Sequence, residues 1–172
     1  MKKIKAFSTV IILTFFFACK KDDSSIKTNE IIPGGDVIVY NVNKSTLVDL
    51  VNHVRQTGCT CGATGMPPVG AITWNDQLAK AADAHSVDML AKNYFSHTGS
   101  DGTDPGSRIT SSGYTWQAYG ENIAFGYSNE QAVMAGWLKS EGHCKNIMNA
   151  NFIEMGVARE GDYWTQEFAR KQ

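Results

Sequence analysis

Near its C-terminal end the chain carries two runs rich in β-branched and aromatic residues, Met155 to Arg159 and Tyr163 to Ala169, on either side of Glu160-Gly161-Asp162. Such runs about a turn-forming triplet predict an antiparallel hairpin. Everything periodic before it reads as helix. Leu47, Leu50, Val51 and Val54 recur at i, i+3, i+4 and i+7, with Thr46 and Asp49 spaced as a capping box and Gly58 as a stop. Asn75 can cap a longer helix reaching about Lys92, with Leu78, Ala81, Ala82, His85 and Met89 on one face. Ser128 and Gln131 again stand at capping-box spacing, ahead of Val133, Met134, Trp137 and Leu138, in a helix that ends near Gly142. Helices therefore come first and a hairpin last. That segregation favours an α+β class, because a parallel sheet needs a crossover helix between successive strands.

The N-terminus is of another kind. Lys2, Lys3 and Lys5 precede an apolar run from Ala6 to Ala18 that is too short to span a bilayer comfortably, which reads as an export signal. The run closes on Phe16-Phe17-Ala18-Cys19, which resembles the lipobox of bacterial lipoproteins and implies cleavage before Cys19 and acylation of that residue. An ordinary secretory signal with an incidental Cys19 is the alternative. Several acyl chains on one cysteine would hold durably, each buried CH2 contributing roughly 0.8 kcal/mol. Lys20-Lys21-Asp22-Asp23 resembles the charged export signal of some surface-exposed lipoproteins, or is a solvated tether. From Ser24 to about Asp36 the chain is polar and carries Pro33-Gly34-Gly35, as a flexible linker does. The expected division is a signal peptide over 1–18, a tether over 19–40 and one domain over 41–170. A net charge of -1, with no Lys/Arg cluster beyond the first 21 residues, gives no footprint for nucleic acid.

Four motifs in order then carry a resemblance. They are Phe95-Ser96-His97-Thr98-Gly99, Gly120-Glu121-Asn122-Ile123-Ala124, Gly136-Trp137-Leu138-Lys139-Ser140-Glu141-Gly142-His143 and Tyr163-Trp164-Thr165-Gln166-Glu167-Phe168. Leu78 to Met89 and Asn146-Ile147-Met148-Asn149 add to them. Together they resemble the bacterial branch of the CAP (SCP-like) superfamily, over about Asn41 to Ala169. The resemblance implies an α-β-α sandwich with a small antiparallel sheet between helices. It also implies a cleft with two histidines and two acids that in some members holds a divalent metal. Matched position by position, the cleft residues are His97, Glu121 and His143, while the second acid falls on Ser140, so Glu141 would have to swing in. The cysteine pattern of that branch implies a Cys61 to Cys144 bridge. Of the three cysteines after Cys19, Cys59 would be left free, as an odd count in an exported chain requires.

Two imidazoles and one carboxylate are adequate ligands for Zn2+, with Mg2+ or Ca2+ the harder alternatives. The spacing of His97, Glu121 and His143 does not by itself form a metal motif; the same residues also suit a polar cleft, with Glu121 and Asn122 in a loop. His85, on an apolar helix face, reads as a satisfied core histidine, and His53 as a surface one. Trp137, Trp164, Tyr163 and Phe168 read as core. No Gly-x-Ser-x-Gly elbow or His-Glu-x-x-His helix is present. The expected function is an extracytoplasmic, lipid-anchored binding module for a lipid, peptide or glycan-derived ligand. Metal-assisted hydrolysis and a structural envelope role are the alternatives.

Overall fold

The computed structural model describes residues 29–31 and 37–172, with side chains from Tyr40 onward; the export segment, Cys19 and the charged run after it lie outside the described residues. Within the stretch read as a tether, β1 (Asn29–Ile31) pairs antiparallel with β2 (Val37–Val39). β-branched residues on both sides of Pro33-Gly34-Gly35 account for that pairing. Tyr40 and Val42, which follow directly, are buried in the main core.

α1 (Lys44–Thr57) is capped by Asn43, whose side chain accepts the Thr46 amide, so Thr46 stands inside the first turn and not at the cap expected of it. Asn outranks Thr at that position. The helix stops at Gly58, whose φ of 75° suits glycine. β3 (Cys59–Cys61) and β4 (Thr64–Met66) form a short hairpin, and β5 (Thr73–Trp74) leads into α2 (Asp76–Lys92), which Asn75 caps as expected. Besides the short strands β1 to β5, three elements were not foreseen. α3 (Pro105–Ser111), capped by Asp104, is too short to show a period. β6 (Trp116–Phe125) contains the Gly-Glu-Asn-Ile-Ala motif, so Glu121 and Asn122 lie in a strand and not in a loop. α4 (Glu130–Lys139), capped by Asn129 and not by Ser128, is followed after Ser140 by α5 (Glu141–Ile147). β7 (Glu154–Glu160) and β8 (Tyr163–Lys171) make the terminal hairpin.

The main sheet runs β5-β7-β8-β6. It is antiparallel from β7 through β8 to β6, but β5 adds a two-residue parallel edge, so the sheet is mixed and not purely antiparallel. The pleat sorts β8 between two helical layers. Trp164 and Phe168 pack with Trp137, Leu47, Val51 and Ile147 on the side of α1, α4 and α5. Thr165 and Ala169 face α2, through Ser86 and through Leu78 and Ala81. The result is the α-β-α sandwich. Gly156 sets its tightest point: a Cβ there would lie 2.0 Å from the Ala79 amide nitrogen, so α2 rests directly on β7.

Candidate functional site

Glu121 on β6, Glu167 on β8 and Gly156 on β7 stand opposite one another in register. All three share the face covered by α2. The close approach of α2 at Gly156 brings down His85, whose Nε2 is 3.9 Å from Glu121 Oε2. The segment after α2 supplies His97, whose Nδ1 lies 2.6 Å from Glu121 Oε1. α3 supplies Arg108, whose Nη2 donates to Glu121 Oε2 at 2.6 Å and to the His97 carbonyl at 2.9 Å. Both oxygens of Glu121 are thus engaged, and its side chain is 2% exposed against 52% for His97.

Charge follows from these contacts. Burial works to raise the Glu121 pKa, but the His97 hydrogen bond and the Arg108 and His85 charges outweigh it and hold the carboxyl below its ordinary value. An ionised carboxylate only accepts, so the His97 nitrogen that faces Glu121, Nδ1, carries a proton. Glu167 behaves oppositely. Complete burial, and then the charge of Glu121, push its pKa well above the ordinary value, which favours the neutral acid. As a carboxylate it would have no donor for either oxygen; as the acid it can donate to Glu121. His85 is buried, and burial lowers its pKa against the opposing pull of Glu121. Its Nε2 meets the Ser96 carbonyl at 2.9 Å, while Nδ1 has no partner among the described residues. A cavity of about 390 Å3 opens between α2 and α3 with His85, Arg108, Asp88, Ser100 and Thr103 in its wall.

The next residue along β6 looks the other way. Asn122 donates to the His143 carbonyl at 3.2 Å and to Gln166 Oε1 at 3.0 Å, and accepts from Asn146 Nδ2 at 2.9 Å. Asn146 also donates to the Glu121 carbonyl at 3.0 Å, so α5 is fastened to β6 by its backbone and amides. β6 is an edge strand, and His143 comes from the opposite layer to His97. The two imidazoles still sense each other: burial, and then His97, lower the His143 pKa. Ser140 joins α4 to α5 and makes no side-chain cap. Glu141 does not swing into the cleft. It is exposed, pairs with Lys145 at 2.5 Å and lies against Gly62 of the β3–β4 turn.

The fit to a metal follows. Glu121 has no free oxygen, and the adjacent Arg108 cation opposes a second positive charge. Among the described residues, the donor atoms of His97, Glu121 and His143 do not gather as a three-ligand set; Cys59, Cys61 and Cys144 do gather, but two of those sulfurs are joined in a disulfide. The buried His/Glu cluster can serve a metal only through its imidazoles. Glu121 would then stand behind His97 as the carboxylate that fixes its tautomer, a common arrangement around metal-bound histidine. Without a free carboxylate the site suits Zn2+ better than Mg2+ or Ca2+.

The sequence pattern of the cysteine-rich secretory protein family (CAP) matches residues 48–168. "Uncharacterized protein YkwD" of Bacillus subtilis (strain 168) is 38% identical over 127 residues, covering 73% of this chain and 46% of the relative. "Uncharacterized membrane protein YlbC" of the same organism is 36% identical over 133 residues, covering 77% of this chain and 36% of the relative. The chain thus spans less than half the length of these curated relatives. An extracellular protein containing a SCP domain from Bacillus anthracis str. Ames superposes with a TM-score of 0.67 at 33% identity, over 80% of this chain and 45% of that one.

Proposed function

Since the chain belongs to the cysteine-rich secretory protein (CAP) family, we propose that it is an envelope-displayed binding module, working outside the cytoplasm and held to the membrane by lipid on Cys19. The observation that carries the binding reading is the double engagement of Glu121, by His97 on one oxygen and Arg108 on the other. A general base for hydrolysis needs a free lone pair within reach of substrate, and Glu167 is sealed from solvent. What the cluster offers outward is His97, held at Nδ1 by Glu121, together with the neighbouring cavity. Hydroxyl and charged side chains in that wall suit a hydrogen-bonding glycan-derived or peptide ligand better than a lipid chain.

The metal-holding part of this reading is tested by calorimetric titration with ZnCl2 at pH 7.5. His97→Ala and His143→Ala are each expected to abolish Zn2+ binding, and Glu121→Gln to weaken it about 10- to 100-fold, as loss of a supporting carboxylate does. A wild type that takes up no Zn2+ at millimolar concentration leaves the imidazoles as hydrogen-bonding groups for an organic ligand. Titration with soluble glycan fragments and short peptides then decides the ligand class, and turnover of either would move the protein to the hydrolases.

Support for the anchor is the lipobox-like Phe16-Phe17-Ala18-Cys19 and the relative named a membrane protein. Cys19→Ser is expected to move the protein from the membrane fraction to the soluble one, or to leave it uncleaved, with loss of acyl labelling. Acyl labelling unchanged from wild type would refute the anchor.

A further inference from the structure

We infer that Cys59, Cys61 and Cys144 form a thiol–disulfide exchange centre, in which the Cys59 thiolate displaces Cys61 from its bridge to Cys144 and small thiols or disulfides enter at Cys59.

The spacing of the strand builds the centre. Cys59 and Cys61 are two apart on β3, so both side chains leave the same face, toward Cys144 on α5. Cys61 and Cys144 are bridged and fully buried, while Cys59 is free and partly exposed. Its Sγ lies 3.7 Å from Cys144 Sγ and 3.8 Å from Cys61 Sγ, so all three sulfurs are in contact. Near-equal distances place the free thiol side-on to the disulfide, so the exchange includes a rotation of the Cys59 side chain that brings its sulfur from contact into line with the Cys61–Cys144 bond.

The step is balanced within the chain. Cys59 releases its proton to solvent, and its sulfur electron pair forms the bond to Cys144 Sγ. The Cys61–Cys144 bond breaks, and Cys61 leaves with that pair and takes up a proton. No oxidant or reductant is consumed. Either bridge ties the β3–β4 hairpin to α5, so the same staple survives in both forms. An external low-molecular-weight disulfide would meet Cys59 first, because the other two sulfurs are covered. Burial holds the Cys59 thiol above its ordinary pKa, so exchange is slow at neutral pH. Glu141 of α5, which lies against Gly62 in the turn after Cys61, is paired with Lys145 at 2.5 Å.

The test is Cys61→Ser, oxidised with glutathione disulfide at pH 8.5 and mapped by mass spectrometry without reduction. The expected product carries a Cys59–Cys144 bridge, leaves neither of those two thiols open to alkylation and melts within a few degrees of wild type. The double variant Cys59→Ser/Cys61→Ser, which has no bridge, is expected to melt on the order of 15 °C lower. A folded Cys61→Ser protein in which Cys59 and Cys144 both stay free overturns the proposal. Should that variant fail to fold, wild type decides. After incubation at pH 8.5 and acid quench, fragmentation of the bridged peptide is expected to show a Cys59–Cys144 fraction, and a bond that stays solely at Cys61 overturns the proposal.

Discussion

Arg55→Met is expected to lower the unfolding free energy by about 3–5 kcal/mol, read as a fall in the urea midpoint by circular dichroism. Arg55 is 1% exposed, and no carboxylate stands beside it among its described hydrogen bonds. Its charge is met by backbone carbonyls. Nε donates to Gly70 at 2.7 Å, Nη1 to Ile147 at 2.7 Å and Asn149 at 3.1 Å, and Nη2 to Phe152 at 3.0 Å. Those acceptors belong to the approach to β5, the end of α5 and the turn into β7. One guanidinium on α1 therefore closes three loops that have no ladder to satisfy them. Methionine fills much of the volume but takes the described donor from the Gly70, Ile147 and Phe152 carbonyls, while Asn149 keeps the Phe152 amide at 3.2 Å. Arg55→Lys should lose nearly as much, because an ammonium cannot span that fan of acceptors. A loss below about 1 kcal/mol in Arg55→Met would mean that the carbonyls find other partners.

Arg55 also marks where reading the sequence stops. Leu47 and Val51 announce the buried stripe of α1, and Arg55, one turn further on, continues it. Its charge hides the pattern, since only the fold assembles the carbonyls that make burial tolerable. The terminal hairpin and the two longer amphipathic helices were legible because each repeats a local period against one core. α3 and α5 have seven residues each, about two turns, and offer no such repeat. β6 was hidden by Gly120, Glu121 and Asn122, polar or small residues in what proves to be an edge strand. The site divides in the same way. His97, Glu121 and His143 were reached through motif resemblance, which gives positions and not contacts. The engagement of Glu121 by Arg108, and the placement of His85 beneath it, depend on how α2 and α3 cross the sheet. A feature of the sequence could have pointed to Glu167: an acid in the middle of an aromatic run, where the pleat alternates two buried faces.

Glu167→Gln is expected to stabilise the protein by about 1–3 kcal/mol at pH 7.5 and to change it little at pH 4. Burial, and then Glu121, hold the Glu167 pKa well above its ordinary value in the folded chain. The unfolded chain releases that proton near the ordinary value of about 4.3. Between the two values the folded state binds the extra proton, so this group's contribution to stability falls as pH rises from about 4.3 toward the folded pKa. Below about pH 4 the carboxyl is protonated in both states and the penalty is gone. Gln keeps the shape, can donate to Glu121 in place of the acid, and requires no proton. Glu121 has the opposite sign. Its lowered pKa stabilises above the ordinary value and is lost as pH falls through the folded one, so Glu121→Gln should cost stability at pH 7.5. Asp83, pushed up to about 6 by burial and by Glu160, slopes the same way as Glu167 but is present in both proteins and cancels in their difference. Urea unfolding of wild type and Glu167→Gln at pH 4, 5.5 and 7.5 checks this. A difference that does not grow with pH would mean that Glu167 is ionised in the fold, with two like charges facing each other across β6 and β8. The half-exposed imidazole of His97 leans on the same balance, because Glu121 accepts from Nδ1 as a carboxylate, and a neutral Glu167 leaves Arg108 a single charge to offset.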